Sequence, residues 1–454
     1  MALPDPDLPI VIIGAGFSGT LLAVNLLRHG ARVVLVERDR AHLGRGLAFG
    51  MPRPEHLLNV RASNMSAYPG DLGHFQRWMG FDSQEQANLF VPRATYGRYL
   101  REQMMAAIAS APARFLIKEH EAVSIDWPGG ATPAIVHLDS GEQIPARAVV
   151  LALGNLDPSG LAVTRALDSQ MAFANPWHPA ATEDLDGIDH ILLIGTGLTA
   201  VDVALSLDRA GYRGRITAIS RRGLAPRAHT PSGPHVKPGP RPEARGSALL
   251  RQIRRRAAEI GWRSAIDELR PHTQSLWRLH DPAAQARLLR HARPWWDVHR
   301  HRLAPPVAER VAAMQNEQRL TFRAGRLVSA TPQGPNARIE WRPRGSDHCE
   351  TLLAQRVITC TGPESDVTRC AQPLLTMLIA QGRLRPDPHR LGLEVDQAGH
   401  LVDGTGQPQD ALLAVGPVTR GAVWEIVAVP DIRRQVWTLA RALTNSQWVG
   451  GEGL

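Results

Sequence analysis

Lysine is almost absent: Lys118 and Lys237 are the only two, so arginine carries nearly all the positive charge behind the net +9. A surface that grips a polyanion needs clustered cations. Here they are scattered apart from residues 251–256, no nucleic-acid motif accompanies them, and a nucleic-acid partner is not expected. Cysteine is nearly as scarce. Cys349, Cys360 and Cys370 are odd in number and show no CxxC spacing, which argues against a disulfide framework or a vicinal redox pair and suits a reducing compartment. No apolar run reaches the roughly 18 residues of a membrane helix. Residues 1–9 lack a basic n-region, and the apolar stretch that follows runs straight into glycines, unlike a secretory signal. A cytoplasmic protein without a membrane partner is expected.

What is present is enough apolar sequence to fold. The 454 residues exceed one ordinary core, and 43% hydrophobic with 21% charged residues is the balance of a multidomain globular chain.

Residues 8–38 read LPIVIIGAGFSGTLLAVNLLRHGARVVLVER: a buried-strand pattern, a glycine turn, a helical pattern ending at Gly30, and a second apolar strand. In GxGxxG, Gly14 makes the tight turn, Gly16 lets backbone approach a pyrophosphate, and Gly19 lets helix pack on strand. Phosphate would sit at the helix N-terminus, on free amides and the positive end of the dipole. Glu37 closes the second strand where a carboxylate accepts hydrogen bonds from ribose hydroxyls. The candidate contacts are Gly14, Ala15, Gly16, Phe17, Ser18, Gly19, Glu37 and Arg38.

The pattern returns at residues 190–222, HILLIGTGLTAVDVALSLDRAGYRGRITAISRR. Gly195, Thr196, Gly197, Leu198, Thr199 and Ala200 form the turn, with Ala200 in the third glycine's place, small enough for the same packing. Ser220, Arg221 and Arg222 replace the acid. A carboxylate there would repel a 2′-phosphate, whereas a hydroxyl and guanidinium groups bind one, so this site is expected to prefer NADPH to NADH. Each unit is followed by a meander pattern, over residues 134–153 and 337–362, and by a strand expected to return to the first sheet. The expected fold class is α/β, with two Rossmann-like dinucleotide-binding domains, the second inserted in the first, β-meanders and a helical insertion.

Four further stretches, GRGLAFG at 44–50, EHLLNVRASNMSAYPGDLGHFQRWM at 55–79, WDVHRHR at 296–302 and GPVTRGAVWEIVAVPDIRRQ at 416–435, give nearly the whole chain a family likeness. It resembles the two-dinucleotide-binding flavoproteins that include flavin monooxygenases and amino-acid N-hydroxylases. The resemblance implies FAD at the first site and NADPH at the second. It implies an FAD-binding domain over 1–180 and 321–454, around an NADP-binding domain over 186–320 with the helical insertion at about 240–315. By similarity Asn59, Met65 and Ser66 lie in a loop approaching the flavin ring, and Gly154, Gly416 and Pro417 end strands feeding the flavin site. The helix after Gly421 is expected to aim its amides at the flavin. Many relatives carry an Asp beside the Gly416 position, where this chain has Val415 and Pro417. The stretch from Asn175 to Pro179 only echoes a Baeyer-Villiger fingerprint, so lactone formation is not assigned.

The Pro- and Gly-rich residues 226–242 read as a loop, and 248–315 as helices. Trp296, His299, Arg300 and Arg302 place aromatic surface and cationic donors together and are candidates for binding a small substrate through a carboxylate or other anionic group. His299 and His301 with Asp297 lack the further ligands of a metal site, and no metal is expected. The resemblance implies an NADPH-consuming monooxygenase that hydroxylates a small amine or amino acid through a flavin hydroperoxide, with molecular oxygen as co-substrate. A flavoprotein reductase of a quinone or other acceptor, and a flavin-binding sensor without turnover, remain open alternatives.

Overall fold

Ile10–Ile13 (β1) is four β-branched residues, between 0% and 6% exposed, a composition that fits a strand covered on both faces. Our computed structural model describes residues 5, 7–130, 132–231 and 239–446. From β1 the chain passes through the helix Phe17–Arg28 to Val33–Val36 (β2), and later to Phe115–Lys118 (β3). Ala122–Asp126 (β4), Ala134–Leu138 (β5) and Gln143–Ala146 (β6) form a separate antiparallel meander, and Ala148–Leu151 (β7) returns beside β1. Next come Ala172–Phe173 (β8), His190–Ile194 (β9), Arg215–Ser220 (β10), Leu320–Gln333 (β11), Asn336–Pro343 (β12), Glu350–Ala354 (β13) and Arg356–Thr359 (β14). His400–Val402 (β15) and Pro408–Ala414 (β16) finish the strands, and the helix Val429–Leu443 follows.

Two units result. One holds the described residues up to Pro54, Val60–Leu156 and those from Glu364 onward; the other holds the described residues of Glu55–Asn59 and Asp157–Pro363. The first is built on a sheet of order β15-β16-β7-β1-β2-β3, parallel except at β15. Its apolar interior joins Val11, Val34 and Val149 to Ile125 and Trp127 of the meander and to Leu375 and Leu378. The second has the order β13-β12-β11-β10-β9-β14-β8.

The second unit therefore continues to Pro363, where the sequence reading returned the chain to the first at 321. The reason is register. β11 pairs in parallel with β10 through Leu320–Ile216 and Ala324–Ser220, so the second meander extends that sheet instead of standing apart. β14, expected to return to the first sheet, pairs with β9. Each meander is thus followed by a strand that returns beside the strand opening its own dinucleotide cradle, β7 beside β1 and β14 beside β9. The strand that rejoins the first sheet from the end of the chain is β16.

Between β10 and β11 lie the helices Gly246–Ile260, Trp262–Leu269, Thr273–Arg278, Pro282–His291 and Arg293–Arg300, then Pro305–Asn316. They enclose a small core of their own at Leu249, Leu269 and Leu276. Of the expected loop at 226–242, residues 232–238 lie outside the described residues, and no regular element falls in the remainder. Among the described residues no helix is long and apolar enough to cross a membrane.

Candidate functional site

The turn after β1 is fixed by backbone crowding. Gly14 has φ +104°, and a Cβ there would stand 2.6 Å from the Ala152 carbonyl oxygen; one on Gly19 would stand 1.8 Å from the Gly14 oxygen. Gly16 differs, since a Cβ there would meet only the Cα of Gly46 at 3.7 Å. Gly46 belongs to the GRGLAFG stretch, which thus crosses the fingerprint backbone to backbone. The helix Phe17–Arg28 begins without a side-chain cap and without an acid in its first turn, leaving its amides and its dipole to an anion. Glu37 Oε2 accepts the Ala15 amide at 2.8 Å, and Oε1 accepts the Asp39 amide at 3.1 Å, so the carboxylate is oriented and keeps lone pairs for hydroxyl donors. Arg38 is exposed and pairs with Glu121 at 3.3 Å.

The second turn repeats this construction. Gly195 has φ +123°, with its would-be Cβ 2.4 Å from the Cys360 oxygen. The Gly195 amide donates to Ile219 at 2.8 Å as the Gly14 amide donates to Val36 at 2.8 Å, which makes Ser220 the counterpart of Glu37 and Thr196 that of Ala15. Thr196 Oγ1 lies 2.8 Å from Ser220 Oγ, which also accepts the Gly223 amide at 3.0 Å. A Cβ on Gly197 would meet nothing within 4 Å, and the helix Leu198–Arg209 also begins without a side-chain cap. Ala200 is 1% exposed, at the helix-strand contact. Arg221 is exposed, and Arg222 reaches the Arg290 carbonyl oxygen at 3.3 Å.

Both cradles therefore suit a dinucleotide: open space or bare backbone over the second glycine, uncapped amides ahead of it, and a polar group at the end of the second strand. They differ in charge at that last position.

The remaining candidates divide. Asn59 groups with the second unit, its carbonyl oxygen 3.1 Å from His229 Nε2. The stretch Glu55–Asn59 is held there by Glu55 against Arg209 at 3.3 Å and by His56 Nε2, 2.9 Å from Ser206 Oγ. Met65 and Ser66 lie buried in the first unit, and the Ser66 hydroxyl closes its own loop onto the Asp71 carbonyl at 2.5 Å. Gly154 has φ +67° and open space about it. Gly416 packs on the first turn of the fingerprint helix, where a Cβ would stand 2.3 Å from Ser18 Oγ, and Pro417 opens the short 3-10 turn Pro417–Thr419. The helix expected directly after Gly421 begins only at Val429; the intervening residues are turns.

In the insertion, Arg302 is 4% exposed and each of its three nitrogens has a protein partner: Nε donates to the His299 carbonyl at 2.7 Å, Nη1 to Asp267 Oδ2 at 3.0 Å and Nη2 to the Arg263 carbonyl at 3.1 Å. Buried and turned inward at all three nitrogens, it acts here as a fastener of the insertion, contrary to the substrate role read from sequence. Trp296 packs on the insertion's core, and His299 stands edge-on to Trp262 at 4.8 Å.

Sequence reading overlooked the aromatic cluster about the helix Arg93–Ser110. Tyr96 and Tyr99 are wholly buried beside Phe75, with ring centroids 5.3 and 4.9 Å from it, and burial pushes both phenols up. The Tyr99 hydroxyl accepts the Ala67 amide at 3.1 Å and lies 2.9 Å from His74 Nδ1. Burial lowers the His74 pKa, which favours the neutral ring, whose tautomer sets which of the two partners donates.

The FAD-NAD(P)-binding family model matches residues 11–156. An L-aspartate N-monooxygenase (nitrosuccinate-forming) of Streptomyces cremeus is 32% identical over 277 residues, covering 50% of this chain and 40% of the relative. The match thus spans less than half the relative's length. The L-lysine 6-monooxygenase of Pseudomonas syringae superposes with a TM-score of 0.66 at 14% identity, over 96% of this chain and 99% of that one. A Kutzneria sp. 744 ornithine N-hydroxylase with FADred, NADP+ and L-orn gives 0.63 at 14% identity, over 97% and 99%. Near-complete coverage at such low identity shows a shared fold, that of the two-dinucleotide-binding flavoproteins.

Proposed function

We propose that this chain, which has the fold of the two-dinucleotide-binding flavoproteins, is an FAD- and NADPH-dependent monooxygenase that N-hydroxylates a small amino acid. The observation that carries the reading is two cradles of one construction with opposite charge at the ribose end, Glu37 in one and Ser220, Arg221 and Arg222 in the other. When bound, FAD supplies the redox chemistry, taking hydride from NADPH and passing the electrons to molecular oxygen.

The chain's own residues hold and sort the two cofactors. Gly14, Gly16 and Gly19 bring backbone amides to the FAD pyrophosphate, and Glu37 receives the ribose hydroxyls. Gly195 and Gly197 do the same for NADPH, and the arginines after Ser220 meet its 2′-phosphate. An amino-acid substrate is supported by the L-aspartate enzyme among the relatives and by the lysine and ornithine enzymes that share the fold. We assign the reaction to the reducing cytoplasm, in keeping with the isolated cysteines.

Incubating the FAD-loaded protein with NADPH, oxygen and a panel of L-aspartate, L-glutamate, L-ornithine and L-lysine tests this directly by mass spectrometry. A product bearing added oxygen on the amine is expected. Unchanged amino acids together with rapid NADPH-dependent quinone reduction would replace the proposal with a reductase.

A further inference from the structure

Arg433, on the first unit's helix Val429–Leu443, is 9% exposed. Buried guanidinium groups are ordinarily matched by a carboxylate, because an uncompensated charge inside a protein costs several kcal/mol. Among the described residues no carboxylate lies within ion-pair distance of Arg433. Its Nη1 donates to two backbone carbonyls, Ser66 at 2.8 Å and Asn64 at 3.4 Å. The charged and titratable groups about it are Tyr96, Arg434, Asp431 and Tyr99, and burial lowers its pKa. One of these groups is as ill-matched as the arginine: the Tyr96 hydroxyl is buried without a hydrogen-bond partner among the described residues.

Two features connect this cation to the first dinucleotide cradle. The Tyr96 ring lies 6.1 Å from that of Phe17, the first residue of the helix whose uncapped amides would receive the pyrophosphate. Gln435, two residues on, accepts the Gly416 amide at 2.8 Å, and Gly416 itself packs on Ser18 of that helix. Arg433 is therefore set among the elements that build the cradle, with Asp431 acting on it only from beyond ion-pair distance and no carboxylate among the described residues in contact with it.

We infer that Arg433 supplies a buried positive charge for the anionic flavin cofactor, its missing counter-charge being the FAD pyrophosphate or the reduced ring. The inference rests on the flavoprotein reading above. It gives Arg433 an electrostatic role in addition to its grip on the Asn64–Ser66 backbone.

The test compares Arg433→Gln, whose amide can still donate to the Ser66 carbonyl, with Arg433→Lys, which keeps the charge. Apoprotein of each is titrated with oxidised FAD by fluorescence, the bound flavin's midpoint potential is measured, and melting is followed without cofactor. Loss of a charge-assisted contact is expected to weaken FAD binding by about tenfold or more in the Gln variant, if the charge meets the pyrophosphate. A more negative midpoint potential at near-normal affinity identifies the reduced ring instead. The Lys variant is expected to stay close to wild type in both readings. A Gln variant that matches wild type in affinity and potential overturns the inference, as does a Lys variant that loses as much as the Gln variant, since that marks a clamp on the carbonyls. Should the Gln variant fail to fold, the Lys variant alone decides: wild-type affinity and potential support the charge, and a loss of about tenfold in affinity or a shifted potential overturns it. Wild-type protein that takes up no FAD overturns the flavoprotein reading itself, a failure distinct from the other two.

Discussion

Ser220 stands in the second unit where Glu37 stands in the first. Glu37 holds the Ala15 amide at 2.8 Å, and the Ser220 hydroxyl lies 2.8 Å from that of Thr196, the residue corresponding to Ala15. A carboxylate and a hydroxyl in one geometric slot are expected to give the two sites opposite tolerance for a 2′-phosphate.

Changing Arg221 and Arg222 together to Ala is therefore expected to raise the KM for NADPH by about tenfold or more, the scale of a lost charge-assisted contact, with little effect on NADH. Steady-state kinetics with both nucleotides reads the result. An unchanged preference would reduce SRR to an ordinary strand end. Arg222 alone is expected to contribute less than Arg221, because it already donates to the Arg290 carbonyl.

The glycines separate folding from binding. Gly14→Ala places a methyl against the Ala152 carbonyl at a φ of +104°, so the variant is expected to lose thermal stability and flavin together. Gly197→Ala enters open space at a φ of −83°, and is expected to melt within about 2 °C of wild type while binding NADPH more weakly. Gly16→Ala, whose methyl meets only Gly46 at ordinary contact distance, is expected to behave likewise toward FAD. Thermal melts and cofactor titrations distinguish these outcomes; a Gly197→Ala protein that binds NADPH normally would count against a pyrophosphate over that turn.

Much of this was legible because the fingerprint residues answer to local geometry. A glycine at positive φ beneath a carbonyl, or a helix that starts uncapped, leaves a mark within a few residues of sequence. The second meander did not, since its membership in the second sheet depends on the register of Leu320 against Ile216, fixed across about a hundred residues of intervening chain. Arg302 was misread for a related reason. Its composition with Trp296 and His299 suited a substrate pocket, but its partners, Asp267 and the Arg263 carbonyl, lie more than thirty residues away in sequence. Glu55–Asn59 shows the same limit: nothing local in EHLLN announces that it docks on the helix Leu198–Arg209.

The second unit also carries a pH dependence. Hydrogen bonds from Arg310, with help from Arg319, hold the Asp208 carboxyl down to about 2, against the ordinary aspartate value. A depressed folded-state pKa contributes stability above the unfolded value of about 3.8 and loses it as pH falls toward 2. Asp208→Asn is expected to cost about 2 kcal/mol at pH 7 and to flatten the acid limb of the melting curve between pH 5 and pH 2. Melting temperatures of both proteins across that range check it, and parallel acid limbs would contradict it.

The account stands on electrons from NADPH reaching an amino acid's nitrogen through oxygen, and the most direct measurement is the hydrogen peroxide released per NADPH oxidised, with and without each candidate amino acid. Without substrate the ratio should lie near one. With the right substrate it should fall steeply while NADPH oxidation quickens and hydroxylated product appears in matching amount. A ratio that stays near one for every amino acid offered, with no product, would contradict the proposed monooxygenase.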